Sequence, residues 1–272
     1  MQSVDILVTT KNRATELVLM MQSLRTQTFK NWNLFILDNA SGTPMTNFYF
    51  INAMINRLKF EDHMVRIMRN NHDFGVCYAR NLLQGEQVKY GWGKYSMRLD
   101  DDVVIEPDYI QKLLDTIDKG YDIASGLIPA LSFPEMKREI RFLNGGINKV
   151  RINEVGDLTE FGDDCGYSYI EQEIMPAGHA RACILYKSEI NKKVQYPDTL
   201  SKYGFREESF WSLKAKMLGY KIGVHTGAIA FHLQTPSGGG RENPNLPVLI
   251  QQDDATFMRW IKRNHETVRL AE

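Results

Sequence analysis

The 272-residue chain has few cysteines, no net charge and no long apolar run, and each of these shortages argues against a class of protein. Three widely spaced cysteines without a CxxC pair argue against a disulfide framework and a structural zinc site. Because 33 basic residues balance 33 acidic ones, the charge gives no sign of a nucleic-acid or membrane partner. No stretch approaches the ~20 apolar residues of a transmembrane span, and no leader pattern opens the chain. We therefore expect a soluble, cytoplasmic protein.

Two glycine motifs that bind nucleotides are also missing. The chain has no GxxxxGK[ST] loop and no GxGxxG after a predicted strand, so ATPase and dinucleotide-binding functions lack their usual signal. The first predicted turn, in VTTKNRATE, contains no glycine. Sugar nucleotidyltransferases normally begin with a glycine-rich phosphate-binding loop, so this class is disfavoured as well.

Strand and helix patterns alternate regularly along the first half of the chain. Strands are predicted at 4–10, 33–38, 64–70, 95–101 and 121–128, and amphipathic helices at 14–28, 45–58, 75–88 and 106–120. Continuous apolar strands joined by helices indicate an α/β fold with a doubly wound, mostly parallel central sheet. Such sheets bind ligands beyond the carboxyl ends of their strands, where the polar residues of this chain cluster.

The second half is less regular, and its 161–174 segment gives no clear pattern. A β-hairpin around Gly-Gly is predicted at 137–155, a strand at 182–190, a helix at 207–220 capped by Gly219, a strand at 221–233 and a helix at 247–264. Three glycines and two prolines make 234–245 a candidate mobile loop. No linker divides the chain, so we expect one main domain over 1–233, followed by this loop and a C-terminal helix over 234–272.

Three adjacent carboxylates, Asp100 to Asp102, interrupt an apolar run in RLDDDVVIEPDYI. In an extended strand Asp100 and Asp102 would share a face, and Asp101 would point away from it. A divalent cation would convert the repulsion of this pair into attraction, and such oxygen ligands suit Mg²⁺ or Mn²⁺ carrying a diphosphate. The alternative is a solvated turn that leads into the helix starting around Pro107.

Four segments, in the same order along the chain, resemble family 2 glycosyltransferases of the GT-A fold. The first is the opening 4–42, with its T-x-N-R turn and DNAS strand end, and the second is NNHDFGVCYARN at 70–81. The third is the aspartate triplet, which is similar to a metal-binding Asp-x-Asp region. The fourth is FREESFWSLKAKMLGYKI at 205–222. The resemblance covers residues 4–233. It implies a Rossmann-like GT-A domain with a nucleotide-binding half over 1–128 and an acceptor-binding half over 129–233.

The resemblance implies roles for the polar residues at the strand ends. Asp38 resembles the aspartate that accepts the N3–H of uracil, which implies a UDP-sugar donor. Asp102 resembles a direct ligand of Mn²⁺ or Mg²⁺, and His232 a histidine that completes the metal site in some members. The alternatives are a half-buried, hydrogen-bonded histidine for His232 and a surface ion pair for Arg80. The other candidate donor contacts are Thr9, Thr10, Asn12, Arg13, Asn39, Arg80, Asp100 and Asp101.

Inverting transfer needs a base that deprotonates an acceptor hydroxyl. Glu207 and Glu208 occupy the place of the family's Glu-Asp pair, and counting back from Gly219 favours Glu208 as the base. The chain departs from the family here, because glutamate is one methylene longer than aspartate and Phe210 replaces a further acidic residue. The alternative is a glutamate pair that stabilises the N-terminus of a helix. TPSGGGREN, after His232, is a candidate lid over the donor or a simple connector.

The resemblance therefore implies metal-dependent transfer of a sugar from a UDP-sugar to a hydroxyl of a glycan, lipid-linked glycan, protein or small molecule. A non-catalytic nucleotide- or carbohydrate-binding protein of the same fold and a sugar nucleotidyltransferase are the alternatives. His179, in MPAGHARA, is expected to be structural, with a place facing the donor sugar as the alternative.

Overall fold

A computed structural model of the chain describes residues 2–131, 146–166, 171, 173–236, 238 and 243–270. The strands are β1 (Val4–Thr10), β2 (Trp32–Asn39), β3 (Val65–Asn70), β4 (Tyr95–Arg98), β5 (Val103–Ile105), β6 (Ile123–Leu127), β7 (Val150–Ile152), β8 (Leu158–Phe161), β9 (Ile174–Pro176), β10 (Ile184–Lys187) and β11 (Ile222–His232). The α-helices are α1 (Ala14–Arg25), α2 (Tyr49–Phe60), α3 (Val76–Tyr90), α4 (Tyr109–Asp118), α5 (Glu207–Met217), α6 (Leu246–Arg263) and α7 (His265–Leu270). Met45–Asn47 and Ser188–Lys192 form 3-10 helices.

The central sheet has the strand order β3-β2-β1-β4-β10-β6-β11-β5, and β9 also pairs with β11. β3, β2, β1 and β4 run parallel to one another, as predicted. Beyond β4 the sheet is mixed, because β10 is antiparallel to both β4 and β6. β5 and β9 are likewise antiparallel to β11.

Helices cover both faces of this sheet, which confirms the doubly wound α/β architecture. Along β1, Ile6 and Val8 belong to the large apolar cluster that includes residues of α1, α2 and α4. Leu7, between them, packs on the opposite face with Ala79 and Leu83 of α3. Burial on both faces explains why the strand is a continuous apolar run rather than an alternating one.

A small antiparallel hairpin differs from the one predicted at 137–155. Residues 137–145 of that prediction lie outside the described residues, and β7 pairs with the following segment, β8. The hairpin shares an apolar cluster with α5 and α6 through Val150, Phe210, Phe257 and Ile261. The C-terminal helix thus packs on the body of the domain. Among the described residues no helix, including the 18-residue α6, is long and apolar enough to cross a membrane.

The end of α5 follows the sequence prediction. Gly219 has a left-handed φ of 87°. Its N–H donates to the Lys216 carbonyl at 2.8 Å, and the Tyr220 N–H donates to the Ala215 carbonyl at 3.2 Å. This pair of bonds is a Schellman motif, which satisfies the last carbonyls of the helix. The turn leads directly into β11, the strand that ends at His232.

Candidate donor and metal site

The carboxyl ends of β1, β2 and β4 open onto a cleft of about 420 Å³. Its polar wall carries residues from the end of β1, from the loop after it and from the turn after β4: Thr10, Lys11, Arg13, Asp100, Asp101 and Asp102. Its more apolar wall comes from α3, the loop before α5 and α6: Val76, Tyr203, Phe205, Leu246 and Ile250. The cleft therefore lies where doubly wound sheets bind their ligands.

The aspartate triplet occupies a turn between β4 and β5 rather than an extended strand. Asp100 and Asp102 still converge, and single ligand atoms of Asp100, Asp102 and His232 all lie within 4.8 Å of one another. The antiparallel pairing of β11 with β5 explains this, because it places His232 opposite Val103. His232 Nε2 lies 3.2 Å from Asp102 Oδ1. Two carboxylates and an imidazole at this spacing fit a divalent cation such as Mn²⁺.

Asp101 does not point to the opposite face, where strand alternation would place it. Arg13 Nη1 lies 3.0 Å from both Asp101 Oδ1 and Asp102 Oδ2. The pKa of Asp101 is raised to about 7, mainly by burial, which the charge of Arg13 opposes and that of Asp102 reinforces. The turn bends both side chains toward the same guanidinium, so Asp101 ties the triplet to the loop after β1.

Two buried guanidiniums join the triplet to the glutamate pair, and we call Arg80 and Arg98 the arginine clamp. Arg98 Nη2 lies 3.1 Å from Asp100 Oδ1, 3.3 Å from Glu207 Oε1 and 3.5 Å from Glu208 Oε1. Arg80 lies 3.3 Å from Asp100 and 3.0 Å from Glu207. Because Arg98 belongs to β4 and Arg80 to α3, the clamp is built on regular elements rather than on loops.

The two glutamates have opposite pKa shifts. Burial, reinforced by the charge of Glu208, raises the pKa of Glu207 well above its usual value. Burial also acts on Glu208, but Arg98, a hydrogen bond with Glu207 and Arg181 together bring its pKa below the usual value. Glu208 Oε1 additionally accepts a hydrogen bond of 3.2 Å from the Ala182 N–H. The shifts thus favour the ionised form of Glu208 and disfavour that of Glu207.

The Asp38 carboxylate is hydrogen-bonded and ion-paired within the protein. Its carboxylate accepts hydrogen bonds from the Ser41 N–H at 2.8 Å and the Met45 N–H at 3.1 Å, and it pairs with Arg69 Nη1 at 2.6 Å. Three donors fill most of the roughly four acceptor positions of a carboxylate. Asn12 is also used structurally, because its N–H donates to Ser41 Oγ at 2.9 Å and so joins the loops after β1 and β2.

Comparison with known proteins identifies the family. The sequence model of Glycosyl transferase family 2 matches residues 5–174. The chain belongs to glycosyltransferase family 2. No curated protein matches this glycosyltransferase by sequence.

Solved structures support the GT-A fold of this family 2 glycosyltransferase. One similar structure is S. aureus TarS, with a TM-score of 0.58 and 13% identity over 86% of this chain and 37% of that one. GalNAc-T7 with UDP, GalNAc and Mn²⁺ has a TM-score of 0.63 and 14% identity over 85% of this chain and 44% of that one. S. aureus TarS 1–349 in complex with UDP has a TM-score of 0.54 and 12% identity over 93% and 65%. The glycosyltransferase thus spans between 37% and 65% of the length of these solved chains.

The structure brings most of the predicted site residues of the glycosyltransferase to one cleft. The predicted residues that line it are Thr9, Thr10, Arg13, Asn39, Arg80, Asp100, Asp101, Asp102 and His232. Glu207 and Glu208 reach the site through the arginine clamp, whereas Asn12 and Asp38 hold the loops beside it. The glycine-rich segment predicted as a lid falls partly outside the described residues, at 237 and 239–242.

His179 is buried and hydrogen-bonded, as expected for a structural histidine. Its Nε2 lies 2.9 Å from the Gly162 carbonyl oxygen, and its ring stacks on Phe161 with 4.4 Å between centroids. Burial lowers its pKa to about 4, so the imidazole is neutral at physiological pH.

Sequence reasoning overlooked Arg98, Lys11 and Lys202. Arg98 carried a signal, because an arginine inside a predicted buried strand needs buried acidic partners. Lys11, in the T-x-N-R turn, pairs with Asp73 at 2.6 Å and lines the cleft. Lys202 precedes α5 in an irregular loop, and no pattern in the sequence places it beside Asp73 and the cleft.

Proposed function

We propose that this glycosyltransferase moves a sugar from a UDP-sugar to an acceptor hydroxyl, with inversion and with Mn²⁺ or Mg²⁺ as cofactor. The observation that carries the proposal is the convergence of Asp100, Asp102 and His232 within 4.8 Å in a cleft that the arginine clamp links to a glutamate pair. Similar proteins solved with UDP, and in one case with Mn²⁺, support the choice of donor and metal.

The donor side of the cleft is assigned to the first half of the domain, residues 1–128. Asp102 and His232 would hold the divalent ion, and Asp100 would contact the sugar end of the donor. Thr9, Thr10, Arg13, Asn39 and Arg80 would contact the nucleotide and its diphosphate. When bound, the ion neutralises charge on the departing diphosphate. Asp38 and Asn12 contribute by fixing the shape of the two loops that receive the nucleotide.

The acceptor side is assigned to residues 129–233, together with the part of 234–272 that lines the cleft. Tyr203 and Phe205 give this wall an aromatic surface against which an acceptor ring packs. Glu208 takes the proton of the acceptor hydroxyl as that oxygen bonds to the anomeric carbon and the bond from that carbon to UDP breaks. Arg98 keeps the Glu208 carboxylate ionised for this task, and a hydrogen bond with Glu207 favours the same form.

Calorimetry with UDP and Mn²⁺, followed by a screen of UDP-sugars with NMR of the product, tests the proposal. The wild type is expected to bind UDP in a Mn²⁺-dependent way and to release UDP from one donor with inversion at the anomeric carbon. Asp102→Asn should lose metal-dependent turnover while the exposed control Asp118→Asn keeps it. Full activity in Asp102→Asn would contradict the metal assignment, and binding without turnover of any donor would favour the non-catalytic alternative.

A further inference from the structure

The segment that carries the glutamate pair is held from two sides. We call residues 201–206, which immediately precede α5, the base loop. On one side the Val76 N–H at the start of α3 donates to the Lys202 carbonyl at 2.9 Å. Gly204, with a φ of 61°, lies so close to α3 that an added Cβ would be 2.4 Å from Val76 Cγ1. On this side the base loop is thus fitted closely to the wall of the cleft.

On the other side a single buried carboxylate of α6 receives three hydrogen bonds from the base loop. Asp253 Oδ1 accepts from the Ser201 N–H at 2.6 Å. Asp253 Oδ2 accepts from Ser201 Oγ at 2.7 Å and from the Phe205 N–H at 2.9 Å. Asp253 is only 2% exposed, and these bonds join both ends of the loop to one rigid helix.

The next residue of α6 holds the residue just before the glutamates. Asp254 Oδ1 pairs with Arg206 Nε at 2.7 Å. Arg206 has a left-handed φ of 74°, a conformation that costs a non-glycine residue free energy and persists only where its surroundings fix it. Its guanidinium also lies over Phe161, 4.4 Å from the ring centroid. The backbone that enters α5 is therefore determined by contacts with α6.

We infer that Asp253 is a positioning residue for the Glu207–Glu208 pair. By fixing Ser201 and Phe205, it sets where the first turn of α5 begins and thus where Glu208 meets Arg98. The inference rests on the proposed function, because the role of Glu208 as base is part of that proposal. It also makes α6 a functional part of the acceptor side, with Asp253 acting through the base loop.

A second buried aspartate supplies a matched control for a purely structural cost. Asp5 is 0% exposed and also accepts three hydrogen bonds, from Asn33 Nδ2, Gln87 Nε2 and the Gly93 N–H. It lies near the opposite end of β1 from the cleft. Asp5→Ala and Asp253→Ala thus each remove one buried carboxylate and leave three donors without their acceptor. Asp253→Asn is the milder variant, because its amide still offers one acceptor oxygen.

Two readouts separate positioning from stability, each measured well below the thermal transition of every variant. The first is amide hydrogen exchange of peptides that cover 201–206, which should accelerate in both Asp253 variants and stay unchanged in Asp5→Ala. The second is steady-state kinetics with the UDP-sugar. A displacement of about 1 Å at the base costs on the order of 100-fold, so kcat should fall about 10- to 100-fold in the Asp253 variants while donor KM stays within about threefold. Asp5→Ala should keep its kcat within about twofold, despite a comparable loss of thermal stability.

The outcomes distinguish a failure of the positioning role of Asp253 from a failure of the proposed function. Two results with an active wild type would overturn the positioning role and leave the proposed function intact. One is full activity of Asp253→Asn, and the other is a loss of kcat in Asp5→Ala as large as that in Asp253→Ala. Unchanged exchange of the base loop in both Asp253 variants would also overturn the positioning role. A wild type that binds UDP with Mn²⁺ and transfers no sugar would instead overturn the proposed function. If Asp253→Ala fails to fold, Asp253→Asn is judged by the same criteria.

Discussion

Replacing Arg98 by methionine removes the guanidinium that the triplet and the glutamate pair share. Methionine fills a similar volume without charge, so the change isolates the electrostatic contribution. Asp100 and Glu207 keep Arg80 as a partner at 3.3 and 3.0 Å. Among the described residues Glu208 keeps no cation within 4.0 Å once Arg98 is gone. The ionised carboxylate of Glu208 therefore bears most of the penalty.

The expected magnitude is large, because Arg98 is almost fully buried and the side chain of Glu208, which loses its cation, is only 17% exposed. Removing one partner of a buried ion pair costs about 3–5 kcal/mol of unfolding free energy. The remaining contacts of Arg80 place this variant near the lower limit, about 3 kcal/mol at neutral pH. A domain with a total stability of about 5–15 kcal/mol stays folded after such a loss but unfolds at clearly lower denaturant concentration.

The loss should grow with pH. In the wild type the pKa of Glu208 lies below its unfolded value, so its stabilisation is fully present above that unfolded value, about 4.3, and is lost at lower pH. Without Arg98, burial is opposed only by the hydrogen bond with Glu207, the charge of Arg181 and a backbone hydrogen bond, so the folded pKa of Glu208 rises from its wild-type position. The difference in unfolding free energy between wild type and variant therefore grows as pH rises through the interval between their two folded Glu208 pKa values, because only the wild type gains stability from early ionisation.

Urea unfolding of the wild type and Arg98→Met at pH 5 and pH 8 measures this difference. We expect a larger difference in unfolding free energy at pH 8 than at pH 5. Arg57→Met, which removes an exposed partner of Glu61, is the control and should change neither value measurably. A difference below about 1 kcal/mol at pH 8, or one that is the same at both pH values, would refute this account of the clamp.

Three further predictions concern single side chains. Glu208→Gln should lower kcat about 10²- to 10⁴-fold with donor KM unchanged. Glu207→Gln should have a much smaller effect, because burial and the charge of Glu208 raise the pKa of Glu207 and disfavour its ionised, basic form; equal effects would refute the assignment. His232→Gln should weaken Mn²⁺ binding at least about tenfold by calorimetry, and unchanged affinity would remove His232 from the metal site. The pKa of His179 is lowered from 6.5 to about 4, so the unfolded imidazole binds a proton first, and the free energy of unfolding falls by up to about 3 kcal/mol as pH drops from 6.5 to 4. His179→Gln should flatten this pH dependence in urea titrations at pH 4 to 7. An unchanged dependence on pH would refute the prediction.

The long strands and helices were predicted well from the sequence, because their burial requires apolar residues in continuous runs or at regular spacing. β1 and β2 are continuous apolar runs and α1 between them is a 3.6-residue repeat, and their predicted bounds match the structure within a few residues. β5 and β9 have three residues each, too few for any period to show. The antiparallel place of β10 between β4 and β6 depends on pairing between distant parts of the chain, which local patterns do not encode.

In the candidate site, too, sequence patterns predicted some positions, and others depend on contacts between distant parts of the chain. Strand geometry predicted that Asp100 and Asp102 converge, the resemblance added His232 beside Asp102, and the structure brings all three within reach of one ion. The expectation that Asp101 points away held only for an extended strand, and the turn instead brings Asp101 to the cleft. Asp253 resembles an ordinary polar residue of a solvated helix, and only its three contacts with the base loop distinguish it. Single-residue function of this kind follows from tertiary contacts rather than from sequence pattern.

The position of β10 has a consequence for how the chain reaches its native state. β1 to β4 can assemble early during synthesis, but the outer edge of β4 stays unpaired until Ile184–Lys187 has left the ribosome. This edge presents Tyr95–Arg98 to solvent in the interim, and open edges recruit other chains. Arg98 thus lies on a strand edge that is paired only late in synthesis. Nascent chains that stop before β10 should therefore aggregate, and the contacts of the arginine clamp should form only near the end of folding.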